Sequence, residues 1–429
     1  MYLRHRQMQL GDFRQGDVLG KEIVVVPTYG VAVWLEHHLV RAGVVSAGVD
    51  FPVMRNAISE LLHAAMPEYE PEQFSRAALT WRIFTVFSQD GQSSEFPEVL
   101  RNYLEAPGEE DPLLRKFEFA GVVAQLFEEY QSYLPQTLTR WGRGEELELV
   151  VRERDGSSQK LDASLRWQPW LWNRICNPEP GRHLVSLAEA IVSFGESSTA
   201  TRPSYPVTVF GASALPPAFL KVLVDYAKTA TVNFYYRNPS REYWGDNLEK
   251  WRHVDDEELK QFQNDLLANY ATQAREFFKA IVDMVPDFGG DLAVLEETAE
   301  QTPQTLLSAI QQQIVNNENP AEPIELREGD DSLVVYNCFN ATREVEALRD
   351  ALLLLLKRHP NDYTLNDIIV MAPDIAAFAP AIRAVFDNCE LRGQYSLSDR
   401  SIRQANLLAE GFLEILRLSS SRFEASRVT

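Results

Sequence analysis

Ile23-Val24-Val25-Val26-Pro27-Thr28-Tyr29-Gly30 is the stretch on which the fold turns. Four β-branched residues in succession suit a strand buried on both faces, as in a parallel sheet. Pro27-Thr28-Tyr29-Gly30 reads as a turn. Beyond it Val31, Trp34, Leu35, His38 and Leu39 recur at helical spacing. Strand, loop and helix in that order open a doubly wound α/β domain.

The pattern returns downstream. Val207 to Phe210 reads as a strand, Pro216-Pro217 opens a helix with the stripe Phe219, Val222, Leu223 and Tyr226, and Val232 to Tyr236 reads as the next strand. A right-handed crossover then implies a parallel sheet. The intervening stretch, about Val53 to Val192, is helical in pattern. Ile58, Leu61 and Leu62 share one face; Val123, Leu126, Phe127 and Tyr130 share another. Arg143 to Lys160 is a charged insertion whose Asp155-Gly156 suits a hairpin turn. Trp167, Trp170 and Trp172 read as packing. In the segment Trp81-Arg82-Ile83-Phe84, Trp81 also reads as a core residue.

From Asn247 to Gln313 the chain is acidic and helical in pattern. Residues 316–331, with two prolines and Gly329-Asp330-Asp331, read as a linker. A second α/β unit follows: a strand at Leu333 to Tyr336, a helix capped near Thr342, a strand at Ile368 to Met371, a turn at Pro373-Asp374, and a helix with Pro380 in its first turn. The organisation expected is a first α/β domain over residues 1–55 and 193–315, a mainly helical insertion over 56–192, the linker 316–331, and the truncated start of a second α/β domain over 332–429. The chain reads as a fragment of a longer protein.

Composition narrows the function classes. With 429 residues, about three domains of ordinary size are expected. Lysines and arginines number 41 against 62 acids, a net charge of −21. The mean field repels nucleic acid, so any DNA contact needs a local basic groove or partner subunits that supply positive charge, and the chain alone should bind DNA weakly. The three cysteines, Cys176, Cys338 and Cys389, are far apart, which supports neither a disulfide framework nor a zinc site. Met1 to Arg14 lacks the apolar core of a signal peptide. The densest apolar run, Ala351 to Leu356, is far below the about 18 residues that span a bilayer. A reducing, cytoplasmic setting without membrane contact is expected.

Two α/β units joined by a linker suggest a two-lobed nucleotide-driven motor. Such a motor needs G-x-x-x-x-G-K-[ST] after its first strand, where backbone N–H groups and the lysine cradle phosphates. Pro27-Thr28-Tyr29-Gly30 has one glycine and no lysine. Gly16, Gly20 and Lys21 precede the strand, at the wrong spacing, and Glu22 stands where a hydroxyl residue belongs; they are a decoy. The Walker-B candidate Val207-Thr208-Val209-Phe210 ends in phenylalanine instead of a carboxylate. Metal-dependent nuclease chemistry needs a Pro-Asp followed by an acidic-x-lysine strand. Pro286-Asp287 and Pro373-Asp374 have none after them, and Glu258-Leu259-Lys260 lies upstream of Pro286. Asp255 to Glu258 reads as a solvated helix face. His38 reads as a core or boundary histidine and Ser398-Asp399-Arg400-Ser401 as a helix cap. No catalytic residue, metal ligand or cofactor is expected.

Several segments together resemble the RecC family, the gamma subunits of exodeoxyribonuclease V: VVPTYGVAVWL (Val25 to Leu35) with Val49-Asp50-Phe51-Pro52; FGASALPPAF (Phe210 to Phe219) with Asn238-Pro239 and Tyr243-Trp244-Gly245-Asp246; TREVEAL (Thr342 to Leu348); DIIVMAPD (Asp367 to Asp374); and YSLSDR (Tyr395 to Arg400). Each segment alone is weak, but their order and separations are specific. The chain covers well under half of a typical RecC. The resemblance implies a superfamily-one helicase fold, RecA-like with a helical insertion, that has lost its ATPase site. It also implies work within a RecBCD-type complex in double-strand break repair and homologous recombination. RecB-like and RecD-like partners supply motors and nuclease, while this subunit guides unwound single strands and scans one for a Chi-like sequence.

Carried over position by position, Leu126 and Arg182 match residues the family uses to read DNA, and Glu128 is an acidic replacement. Pro27, Tyr29, Val33, Ser59 and Leu134 depart from the family's residue types, so recognition of the familiar sequence is not implied. On physical grounds Tyr29, at the carboxyl end of the sheet, suits stacking on a base, and Arg182 suits pairing with a phosphate. The competing readings are a surface loop aromatic for Tyr29 and a surface ion pair for Arg182. The candidate DNA-binding residues are therefore Tyr29, Leu126, Glu128 and Arg182. Two other functions compete: an active ATP-dependent helicase with an atypical nucleotide site, and a purely structural interaction protein.

Overall fold

The first β-branched run forms β1 (Glu22–Val25), with Ile23, Val24 and Val25 at most 2% exposed. Alternate side chains leave a strand on opposite faces, and the core divides accordingly. Val24 and Val26 pack with Ala32, Leu35 and Leu39 of α1 (Tyr29–Arg41). Ile23 and Val25 pack on the other face with Ile58, Leu61 and Leu62 of α2 (Met54–Ala65). Between these helices lies the short β2 (Val49–Asp50), parallel to β1. The computed structural model describes residues 20–41, 43, 48–91, 93–106, 111–145, 150–152, 158–160, 165–196, 202–247, 263–284, 304–320, 322–325, 327–397 and 407–418.

A helical run follows: α3 (Arg76–Gln89), α4 (Glu98–Leu104), α5 (Pro112–Tyr133) and α6 (Pro135–Gly142). Proline opens both α5 and α6, where its missing N–H costs nothing. The charged insertion carries a hairpin of β3 (Val150–Arg152) and β4 (Ser158–Lys160), in antiparallel register Val150 to Lys160. Its expected Asp155-Gly156 turn lies outside the described residues. Next come α7 (Trp167–Cys176) and α8 (Leu187–Glu196). Phe74, Leu79, Ile83, Phe87, Val123, Phe127, Leu138, Trp141 and Trp172 form the insertion's own core, with Trp167 and Trp170 against its flank. Most of α8 belongs elsewhere: Leu187, Ala190, Ile191 and Phe194 join α2 beneath the sheet.

The chain returns to the sheet in β5 (Val207–Phe210), crosses through α9 (Pro217–Tyr226), and adds β6 (Val232–Tyr235). The four strands are all parallel, in the order β2-β1-β5-β6. The expected stripe of α9 is buried: Phe219, Val222, Leu223 and Tyr226 are at most 4% exposed. The Tyr243-Trp244-Gly245-Asp246 segment is structural. Trp244 is 1% exposed and stacks on Phe278 at 5.6 Å, and its indole N–H donates to Asn238 Oδ1 at 2.9 Å. Phe278 comes from α11 (Thr272–Met284), which follows the short α10 (Asp265–Tyr270). After α12 (Leu306–Asn316), Asn316 to Asn319 do not run free. Asn317 is 7% exposed and exchanges amide hydrogen bonds with Asn247, while Asn319 bonds to the Asp265 N–H and the Gln263 carbonyl.

The chain divides into two units: residues 1–304 with 308–325, and residues 305–307 with 326–429. In the second unit, α13 (Ala341–Arg358) packs on α14 (Ile375–Phe386) around Val345, Val385, Phe386 and Leu391; α15 (Leu407–Leu418) follows. The cap of α13 is Asn340, whose side chain accepts from the Arg343 N–H at 2.9 Å, two residues before the expected Thr342. Asp374 caps α14 by accepting from the Ala376 and Ala377 N–H groups, so Pro380 lies in the second turn, not the first. The two expected strands are absent. Leu333 to Tyr336 and Ile368 to Met371 join no ladder among the described residues, and Val335 and Met371 are 89% and 84% exposed. Composition gives a segment β propensity, but a strand also needs a neighbouring backbone to receive its hydrogen bonds. The proposed cap at Ser398 to Ser401, the acidic run Asp255 to Glu258 with Lys260, and Pro286-Asp287 lie outside the described residues. Among the described residues, no helix is long and apolar enough to cross a membrane.

Candidate nucleic-acid interface

In a doubly wound sheet the ligand crevice lies beyond the carboxyl ends of the strands. Here the loops after β1 and β5 meet: a Cβ on Gly211 would lie 4.0 Å from the Pro27 ring. Gly211 has φ +69°, a backbone region that glycine enters without steric cost, and its N–H donates to the Tyr235 carbonyl at 2.8 Å. Thr28 starts α1, its hydroxyl accepting from the Val31 N–H and its carbonyl from the Ala32 N–H. Tyr29 is thus the first residue of a helix rather than a loop residue, and it is 80% exposed. Trp34 was expected on the buried stripe but is 50% exposed; its ring lies 6.5 Å from Phe210, stacked, and 4.0 Å from His38. Ala32 takes the core place instead. His38 is a boundary residue, its Nδ1 2.8 Å from the Trp34 carbonyl oxygen. The sheet's carboxyl edge therefore carries Tyr29, Trp34 and Phe210, with Phe210 where a Walker-B acid would stand.

Lys21 is engaged at the other end of the sheet. It precedes β1, pairs with Glu60 of α2, and lies 3.5 Å from Asp50. The hydrogen bond to Glu60 raises its pKa above the ordinary lysine value despite an opposing desolvation. Its stabilising contribution is therefore complete below the unfolded lysine pKa and is lost as pH rises through the folded one. Because the ammonium is 43% exposed, solvent screening keeps the contribution small. Lys21→Met is expected to cost less than about 1 kcal/mol in chemical denaturation at neutral pH. The difference from wild type should fade at strongly alkaline pH, and DNA-dependent ATP turnover of an assembled complex should be unchanged. A collapse of that turnover would give Lys21 a phosphate role.

The other expected site residues are distributed over the helical insertion. Leu126 and Glu128 are half-buried on α5, and Glu128 pairs with Arg55 of α2 at 3.5 Å. Ser59, on the same helix as Arg55, shares a 3.2 Å hydrogen bond with Tyr69. Burial of the Tyr69 phenol raises its pKa. Arg182 occupies the loop between α7 and α8, with Glu179 3.8 Å away. Among the described residues no hydrogen bond, ion pair or ring contact joins Tyr29 to Leu126, Glu128 or Arg182. Val33 and Leu134 are 38% and 39% exposed.

Sequence reasoning also misplaced one aromatic. Trp81 is not a core residue: it is 59% exposed, with its ring 5.1 Å from Phe117 and 5.9 Å from Phe84. Leu79, Ile83 and Phe87 take the buried face of α3 instead. The spacing 79, 83, 87 was the available signal, since residue 81 lies about 200° from 79 around a helix.

Residues 6–317 match the sequence family described as RecC, N-terminal domain. The chain belongs to the RecC family. The relatives include the RecBCD enzyme subunit RecC of Escherichia coli (strain K12), 28% identical over 97% of this chain and 40% of the relative. The subunits of the same name from Haemophilus influenzae and Mycolicibacterium smegmatis are 26% and 27% identical, each over 96% of this chain and over 41% and 37% of the relative. The chain spans about two fifths of the length of these relatives. The RecC match covers the whole four-stranded sheet and closes at Asn317.

Proposed function

We propose that this chain is the non-catalytic, DNA-guiding part of a RecBCD-type complex, the ATP-dependent exodeoxyribonuclease V that processes double-strand breaks. In this reading the parallel sheet is a superfamily-one helicase lobe without its engine. Residues 1–55 and 193–315 form that lobe, 56–192 the insertion, and 332–429 the start of a second. RecB-like and RecD-like subunits supply ATP turnover and cleavage in the cytoplasm. The chain steers unwound single strands and scans one of them for a Chi-like sequence.

The observation that carries this reading is the sheet's carboxyl edge. Where a motor would hold phosphate and magnesium it has Phe210, Trp34 and Tyr29, with the neighbouring lysine tied to carboxylates at the opposite end. Exposed aromatics suit stacking on bases, which is worth about 1–3 kcal/mol per base. The charge of −21 favours a second reading, a purely structural subunit.

Photocrosslinking single-stranded DNA to the assembled complex separates the two. Labelled peptides containing Tyr29 or Trp34 are expected, and Tyr29→Ala should lower crosslinking at that edge about tenfold, the equivalent of about 1.4 kcal/mol. DNA labels confined to the partner subunits would leave the structural reading standing.

A further inference from the structure

Both cores of the first unit share α8. Leu187, Ala190, Ile191 and Phe194 lie beneath the sheet, while Ala188, with Leu184 just before the helix, joins the insertion's core. Polar groups from three helices and a loop hold the corner where the chain enters α8. Asn177, just past α7, donates its amide to the Gly142 carbonyl of α6 at 2.8 Å and to the Asn173 carbonyl of α7 at 3.0 Å. His183, in the loop between α7 and α8, sets Nδ1 2.9 Å from Asn177 Oδ1. Its Nε2 lies 2.7 Å from Glu189 Oε2, in the first turn of α8. The Leu184 N–H donates to the Cys176 carbonyl at 2.8 Å and closes the loop.

The donors and acceptors of this corner fix where its protons lie. Asn177 commits its amide hydrogens to the two carbonyls, so Oδ1, an acceptor only, is what faces the ring. Glu189 presents a carboxylate oxygen, likewise an acceptor. Turning the imidazole over would set carbon atoms where the nitrogens stand and lose both contacts. A neutral imidazole has one N–H and one bare lone pair, so it serves one of the two oxygens and aims the lone pair at the other. The imidazolium serves both. Its bond to Glu189 is then charge-assisted, on a carboxylate that is 15% exposed and so partly shielded from water. The charges around the ring come from several elements. Arg143, just past α6, lies 3.6 Å from the other Glu189 oxygen, Oε1. Glu179 and Arg182 of the loop pair with each other at 3.8 Å. Burial, and after it the charge of Glu189, push the Cys176 thiol up, so it stays uncharged; from α3, Arg82 acts on that thiol through its own charge.

We propose that His183 is a proton-operated latch on the helical insertion. As imidazolium it ties the ends of α6 and α7, through Asn177, to the first turn of α8; loss of a ring proton releases the α8 side. The latch closes as pH falls through the range in which imidazoles take up a proton, and opens as pH rises through it. Because α8 belongs to both cores, the latch governs how firmly the insertion is seated on the sheet lobe. The inference goes beyond the DNA-guiding reading and stands without it.

Hydrogen exchange of the full chain, measured at about pH 5.5 and about pH 8.5 and corrected for the intrinsic pH dependence of exchange, tests the latch at residues 177–186. Wild-type protection there should be about fivefold higher at the lower pH, while protection in β1 and β5 should not change. His183→Gln should lose this pH response and exchange at about the wild-type rate of the higher pH. Glu189→Gln separates a latch from a merely structural contact. Its amide can donate to a bare Nε2, so the loop should stay protected at both pH values. Wild-type protection that does not vary with pH overturns the latch, and that measurement needs no variant to fold. A pH response that survives His183→Gln overturns it too, as does a response of full size in Glu189→Gln.

Discussion

Phe127→Ala is expected to destabilise the first unit by about 3–5 kcal/mol, the range for truncating a buried phenylalanine. Phe127 has no solvent exposure; its ring meets Trp172 edge to face at 5.0 Å and lies 6.3 Å from Tyr130. It stands where α5 passes α7, so the cavity left by alanine would open inside the insertion's buried cluster, whose close packing relaxes little. Trp81→Ala removes a larger ring from the neighbouring helix, yet should cost about 1 kcal/mol or less, the scale of a surface aromatic pair. Urea denaturation of the two variants beside wild type reads the difference directly. If the tryptophan variant lost more stability than the phenylalanine one, the assignment of faces on α3 and α5 would be wrong.

β1 and β5 were legible because they are short, largely β-branched and buried on both faces, a pattern that no helix needs, whereas β2, two residues long and unburied, was not read as a strand. Val207 to Phe210 matches β5 to the residue, and Pro216-Pro217 marks the start of α9 because proline is tolerated at a helix's first turn. The same reasoning failed at Leu333 to Tyr336 and Ile368 to Met371. Their composition is equally strand-like, but pairing is a property of neighbours, and no sequence segment reveals its own neighbour. Helical faces were legible where several apolar positions repeat and misleading where one large aromatic stood alone, as at Trp34 and Trp81. A tryptophan's size makes it look buried, while its actual place depends on the spacing of the smaller residues around it.

The candidate interface was legible only in outline. The absence of a P-loop and of an acid after β5 could be read from spacing, and so could the position of Tyr29 beside the crevice. Glu128 entered the candidate list only through the family resemblance, and the fold gives it Arg55 as a partner.

Asn317→Ala is expected to cost about 3 kcal/mol, a loss out of proportion to a residue at the head of a presumed linker. Asn317 has φ 53°, the left-handed region, which asparagine tolerates and which costs alanine about 1 kcal/mol. Its amide also closes a buried network. Asn247 Nδ2 donates to Asn317 Oδ1 at 2.7 Å, Asn317 Nδ2 donates back to Asn247 Oδ1 at 3.1 Å, and the Asn264 N–H donates to Asn317 Oδ1 at 3.0 Å. Asn264 in turn caps α10, its side chain accepting from the Leu266 and Leu267 N–H groups, so the network links α10, the turn after Trp244 and the end of α12. Removing the Asn317 amide strands buried donors and acceptors on two partners, at about 1–3 kcal/mol for each group left unpaired, less what relaxation recovers. Asn317→Gly keeps the backbone conformation and loses the same hydrogen bonds, so it should be about 1 kcal/mol milder than alanine. Asn317→Asp keeps an acceptor for Asn264 and Asn247 but turns a second oxygen toward Asn247 Oδ1, and should also destabilise. Denaturation midpoints of the three variants test this order. An alanine variant within about 0.5 kcal/mol of wild type, the scale of an ordinary surface substitution, would mean that the residues after α12 are held by something other than this amide network.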